Sequence, residues 1–451
     1  MVNGSKTEGT MDKLCLGVGR AIITPKVGCC LFGYRPDLIS EKVEDDLTAT
    51  AFYFSQGDRK ALMVSVTLGL IANEISEEIL DKIETKFSIP RQNCMISATH
   101  THSGPDTAGM VGWGEMDRDY IDNILICGII NSVEEAIGSI QPVKIGYACG
   151  ESFAAVNRRE TRADNRTVLG QDPNGSFDPR MTVISFKNDE GEIVANLIHY
   201  AGHGTAAGAN KEISRDWHGV MTDELESFSG AVTAFFNGAS GDIGPRLSTG
   251  GTLSNGEIKY IYEIGRIGAD DAIRIFKEIG EYSSREMICA GGEISVDLKE
   301  RISLEKAKQI YKMYGENAVN MDSAIKNFAK QVILKYEKGE PELKAVSFFQ
   351  MVIAFGDLVF VSFPYELFSS IAMRIDDNFP GKHVMSLSYT NGSMGYFATE
   401  EEKIRGGYEI EMFNYSEKTQ SYCDNADSEL VQKTTENVIE ILNGGQNSCT
   451  E

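Results

Sequence analysis

Short apolar runs alternate with amphipathic runs through the first half of the chain. Val18 to Thr24, Leu47 to Phe54, Ala61 to Val66 and Asn93 to Thr99 read as strands. Between the last two, Ile75, Ile79, Ile83 and Phe87 recur every four residues, which predicts a helix with one buried face. Tyr120 to Ile137 predicts another helix. Met181 to Phe186 and Ile193 to Tyr200 flank Asp189-Glu190-Gly191, a hairpin signal that makes the sheet mixed. Ala231 to Phe236 is a further strand. A charged helical pattern fills Gly256 to Lys338, as a lid or as packed helices. Two strands, Ala345 to Ala354 and Leu358 to Phe363, precede a helix expected from Pro364, since proline is tolerated in a first turn. Asp427 to Leu442 reads as a closing helix. The pattern predicts an α/β fold: a single large domain with mixed β-sheets flanked by helices, without internal repeat or linker.

The net charge of −23 opposes nucleic acid or an anionic membrane as a main partner. No stretch reaches the roughly 18 apolar residues that a spanning helix needs. The polar start, Met1 to Lys13, lacks the apolar segment of a secretory signal, so a cytoplasmic location is expected. The nine cysteines include no CxxC pair, which points to reduced thiols.

Histidine changes the picture. Five of the six histidines fall between positions 100 and 218. His100 and His102 follow an apolar strand and precede Ser103-Gly104-Pro105. On a strand, side chains two apart share a face. The pair reads equally as a metal or catalytic site and as hydrogen-bonded strand-end residues. His203, in Gly202-His203-Gly204 after another strand, is the working candidate there. His199 reads as structural, and His218 as a packed first-turn residue behind the helix cap Asp216. The glycine-rich exit Asn237 to Arg246 offers backbone N–H groups to an oxyanion, or is a plain turn. Glu366 reads as a first-turn helix carboxylate or a metal ligand. Tyr396, by periodicity alone, is an ordinary surface tyrosine.

In order along the chain, these pieces resemble the N-terminal domain of the neutral, non-lysosomal ceramidases. The resemblance is carried by Val18-Gly19-Arg20 through Phe32-Gly33-Tyr34, Ala98 to Pro105, Asn157-Arg158, Tyr200 to Thr205, Ile213 to Asp216, Gly241 to Pro245, Phe363 to Glu366, and Asn391 to Glu409. It implies a zinc-dependent amidase with His100, His203, Glu366 and Tyr396 as Zn2+ ligands. It further implies that His102, Arg158 and Asp242 take part in the chemistry, and that Asn157, Gly244 and Tyr408 meet the substrate, a small molecule.

Three departures bear on the substrate. Gly244 stands where the family has serine, and Lys403 where it has tyrosine. The chain also stops where ceramidases continue into an immunoglobulin-like domain, so 14–445 is expected to be a stand-alone unit between tails 1–13 and 446–451. Met110, Val111, Trp113 and Met116 are the only large apolar candidates for gripping lipid between Asp106 and Tyr120. The expected function is therefore ceramidase-like hydrolysis of a more soluble amide. Hydrolysis of an ester, lactone or sugar-derived substrate is one alternative; a zinc-binding protein without catalysis is another. Oligomeric state is not readable.

Overall fold

The computed structural model describes residues 12–109, 115–248, 257–314, 320–414 and 419–447. Met110, Val111 and Trp113 fall outside these, as do most of the expected tails. The centre is an eight-stranded mixed sheet. Its order is Val232–Asn237, Ile193–Tyr200, Arg180–Asn188, Gln141–Glu151, Cys15–Ile22, Thr48–Gln56, Arg59–Val66, Cys94–Ala98. The outermost pair at each edge is parallel and the inner pairs are antiparallel. Twist of roughly 20–25° per strand accumulates across such a sheet, and here its two edges approach. The Ser65 hydroxyl near one edge donates to the Phe235 carbonyl at the other, at 2.6 Å. Beyond the strand ends, Thr101 and Gly204 form an isolated parallel bridge. Both histidine-bearing exits therefore meet.

A four-stranded sheet, Met287–Asp297, Ala345–Phe355, Leu358–Ser362 and His383–Leu387, packs against this one. Phe54, Phe186, Phe236, Met351, Phe355 and Phe360 fill the interface, all nearly inaccessible. Helices cover the outer faces, and the mixed α/β architecture expected from the pattern is the one observed.

Glycine decides one of those helix contacts. A Cβ on Gly17 would lie 1.7 Å from the Ala136 carbonyl oxygen, and one on Gly19 2.2 Å from that of Ser132. The helix Cys127–Gly138 therefore sits directly on the strand Cys15–Ile22. Gly17→Val should destabilise the protein by about 3 kcal/mol through overpacking, read as a lower urea midpoint. An unchanged midpoint would mean that helix and strand separate easily.

Three expectations need correction. The charged stretch 256–338 is not all helical: it contains the eleven-residue strand Met287–Asp297 between helices Lys259–Lys277 and Leu304–Met313. No helix starts at Pro364. The chain stays extended through Glu366–Leu367, which pairs in parallel with Tyr396–Phe397, and the helix begins at Ser369. Finally, Tyr396 is 6% exposed, not a surface residue. Among the described residues, no helix is long and apolar enough to cross a membrane.

Candidate metal centre

The strand Cys94–Ala98 ends before the histidine pair, so strand geometry does not set it. Instead the chain turns at His100, which has φ +69°. Its amide bonds to Leu68 O at 2.8 Å, and the His102 amide to Gly204 O at 2.9 Å. These bonds tie the run to the segments after Arg59–Val66 and Ile193–Tyr200, the strands next to the two edges of the sheet. His100 is 1% exposed and its ring stacks on Tyr389 at 4.0 Å. The run still delivers both imidazoles to one place, with 3.3 Å between the Nε2 atoms of His102 and His100.

His203 follows the strand Ile193–Tyr200 and is fully buried. Its Nδ1 lies 2.7 Å from Ser240 O and 3.1 Å from Ile243 O, while His100 Nδ1 lies 2.8 Å from Gly69 O. A carbonyl only accepts, so in both rings Nδ1 carries the proton and Nε2 keeps its lone pair. Both Nε2 atoms lie 3.3 Å from one carboxylate oxygen, Oε2 of Glu366. Among the described residues, His203 Nε2 and Glu366 Oε2 are buried without a hydrogen-bond partner. Three lone pairs converge with no proton between them. Burial of such groups is costly unless a cation joins them, and carbonyl-anchored imidazoles are the usual support of metal ligands. The residues present thus fit a metal ion, and the group His100, His102 and His203 can hold one, their ligand atoms lying within 4.8 Å of one another. Burial, followed by the nearby Arg158 and His100, lowers the His203 pKa to about 3, so the ring is neutral as a ligand must be.

His102 is enclosed by the segment Phe32-Gly33-Tyr34. Phe32 and Tyr34 meet its ring edge-on at 5.0 and 5.3 Å. Gly33, at φ +99°, passes so close that a Cβ there would lie 2.1 Å from His102 Nδ1. Burial and the other two imidazoles hold the His102 pKa well below its usual value.

Tyr396 stands beside Glu366 across their parallel bridge. Its hydroxyl accepts from Arg158 Nη2 at 2.9 Å, and Arg158 Nε donates to Glu409 Oε1 at 2.8 Å. Among the described residues, Nη1 of Arg158 has no protein partner. Tyr408 packs edge-on against Tyr396 at 5.9 Å and is 37% exposed, at the rim of the site.

The remaining expected residues lie behind this centre. Asp242 accepts from the Ser369 amide at 2.8 Å, the Ser369 hydroxyl at 3.1 Å and Asn157 Nδ2 at 3.3 Å. Burial pushes its pKa up to about 7. Asn157 Nδ2 also donates to Ser176 O at 2.7 Å. Gly244 sits in the short strand Ile243–Pro245, opposite Val156. His199 lies 3.2 Å from Ser386 O, and His218 stacks on Phe235 at 4.2 Å. Asp216 accepts from the amides of Ala206, Ala207 and Trp217, holding the loop after His203 to the helix Asp216–Ser229. Sequence reasoning assigned nothing to Tyr34, Tyr389 or the carboxylate of Glu409. Tyr34 and Glu409 lie within segments that carry the family resemblance, whereas Tyr389 lies two residues before one.

Comparison with known proteins accords with this geometry. Neutral ceramidase of Pseudomonas aeruginosa is 28% identical over 203 residues, 42% of this chain and 30% of that protein. Neutral ceramidase of Mycobacterium tuberculosis is 28% identical over 266 residues, 52% and 40% respectively. The matched regions thus span less than half the length of these relatives. The crystal structure of neutral ceramidase from Pseudomonas aeruginosa superposes with a TM-score of 0.73 at 21% identity, over 95% of this chain and 74% of that one. A ceramidase complexed with C2 gives 0.74 at 20%, over 96% and 76%. Residues 14–259, more than half of the sequence, match the profile described as neutral/alkaline non-lysosomal ceramidase, N-terminal, and the chain belongs to that family.

Proposed function

We propose that this chain is a zinc-dependent hydrolase of an N-acyl amide bond, with residues 14–445 as its catalytic unit. The observation that carries the reading is the convergence of His100 Nε2, His203 Nε2 and Glu366 Oε2 beside Arg158. Those three groups and Tyr396 would hold the ion, a donor set of N and O atoms suited to zinc. When bound, zinc supplies Lewis acidity that polarises a carbonyl and lets water attack near neutral pH.

The chain's own residues supply the rest. His102, held neutral by burial, presents Nε2 to the centre and takes the proton of the attacking water. Arg158 offers Nη1 to the carbonyl oxygen as negative charge grows there. Tyr408, at the rim, orients the substrate. Asp242 and Asn157 hold the strand Ala155–Thr161 against Ser369 and so fix where Arg158 stands. Gly244 brings no hydroxyl, so none of these steps uses one.

Protein purified without chelator should contain one equivalent of zinc. It should hydrolyse at least one member of a panel of ceramide and shorter, water-soluble N-acyl amides. Chelation should abolish turnover and added zinc restore it. Preference within the panel decides between ceramide and a soluble amide. Turnover of esters alone would replace the amidase reading, and full metal with no turnover on any acyl substrate would sink it.

A further inference from the structure

Arg158 and Arg159 are consecutive on the strand Ala155–Thr161, so their side chains leave opposite faces. Both nevertheless end on one carboxylate. Glu409 Oε1 accepts from Arg158 Nε at 2.8 Å, and Glu409 Oε2 accepts from Arg159 Nη1 at 2.6 Å. Arg159 then spends its remaining donors on the segment that carries Glu409. Its Nε donates to Glu402 Oε2 at 2.7 Å, and its Nη2 to Gly406 O at 2.6 Å. Arg159 is 0% exposed and Glu409 2% exposed.

Such a network is costly to bury. Arg158, Arg159 and Glu409 are buried, and desolvation consumes much of the Coulombic gain. Apolar residues would hold the helix Tyr408–Asn414 against the strand at less cost. What the charges add is direction. A carboxylate pinned on one oxygen by a rigid guanidinium fork presents the other at a fixed place, and that oxygen holds Arg158 Nε. With Nε on Glu409 and Nη2 on Tyr396, the guanidinium plane is set and Nη1 is aimed.

We propose that Arg159 and Glu409 are positioning residues that act on the reaction through Arg158. Neither needs to touch substrate. The inference rests on the amidase reading only for its kinetic arm.

That arm compares Arg159→Lys, Arg158→Lys and the double variant on the best amide substrate. A lysine keeps the charge but cannot bridge Glu409, Glu402 and Gly406 together. Arg159→Lys should lower kcat about tenfold, with KM within about twofold and bound metal unchanged. In the Arg158→Lys background the same change should cost nothing further, because its route of action is gone. Equal losses in both backgrounds would overturn the proposal. If Arg159→Lys does not fold, Glu402→Gln carries the test: it touches Arg159 but neither Arg158 nor Tyr396. A loss of about threefold in kcat is expected there, again absent in the Arg158→Lys background.

The second arm needs no substrate. Hydrogen exchange of the Arg158 Nε–H, assigned by its absence in Arg158→Lys, should quicken about tenfold in Arg159→Lys and in Glu409→Gln. Unchanged exchange in both refutes the positioning, whatever the enzyme hydrolyses. Quickened exchange in a protein that cleaves no amide supports the positioning while removing the amidase reading.

Discussion

His203→Ala should lose the metal and, with it, all measurable hydrolysis. The ring is fully buried, and its Nδ1 is shared between Ser240 O and Ile243 O. Those two carbonyls belong to the loop that follows the edge strand Val232–Asn237 and to the first residue of the short strand Ile243–Pro245, so the imidazole is oriented before any ion arrives. Alanine removes the lone pair and leaves Glu366 Oε2 facing His100 alone. Metal content of the purified variant should fall below about a tenth of an equivalent, and kcat/KM by about 1000-fold or more. The fold should survive, because no bond that ties the two sheets together passes through this ring. Elemental analysis beside a circular-dichroism melt checks both halves. Retention of a full equivalent of metal would remove His203 from the ligand set.

His102→Ala should do the opposite: keep the metal and lose the rate. The wall of Phe32, Gly33 and Tyr34 holds His102 Nε2 toward the centre without giving Nδ1 a carbonyl. His100 and His203 each have such a carbonyl, and the contrast separates a ring anchored for coordination from one left to exchange a proton. A fall in kcat of about 100- to 10,000-fold is the usual cost of losing a general base. The three imidazoles are nonetheless close enough to share one ion. Loss of metal in parallel with activity would therefore place His102 among the ligands and force a different source for proton transfer. The two alanine variants, assayed together, divide the three histidines by role.

Much of the site was legible because its chemistry is concentrated. Histidine is rare in this chain, and both working runs follow apolar strands, so His100, His102 and His203 stood out as residues. Their geometry did not. A two-residue spacing predicts a shared strand face, whereas the strand stops at Ala98 and the left-handed turn at His100 does the aiming. Glu366 and Tyr396 were ambiguous for a deeper reason. Each belongs to a two-residue strand whose only partner among the described residues is the other. A pairing thirty residues away leaves no periodic trace, so local rules read one as a helix start and the other as surface. The strand Met287–Asp297 was missed because Gly291-Gly292 interrupts its apolar run and its faces are only partly buried. The strands with mostly buried interiors, Thr48–Gln56, Arg59–Val66 and Cys94–Ala98, coincide with apolar runs, whereas the half-exposed strand Gln141–Glu151 leaves no such run.

The joining of distant segments at this centre has a consequence for how the protein is made. The Ile96 amide donates to Asn391 Oδ1 at 2.7 Å across 295 positions, and His100 and Glu366, which meet at the centre, lie in runs nearly as far apart. Closing loops of that length delays a contact until most of the chain is already organised, and topologies dominated by such contacts fold slowly. The amino-terminal half contributes both imidazoles early in synthesis, and Glu366 and then Tyr396 emerge later. An ion captured by a nascent chain would therefore meet an incomplete set until Glu366 and Tyr396 have paired. With a metal at this centre, its occupancy would record completed folding, and its binding energy would add to the stability of the folded chain.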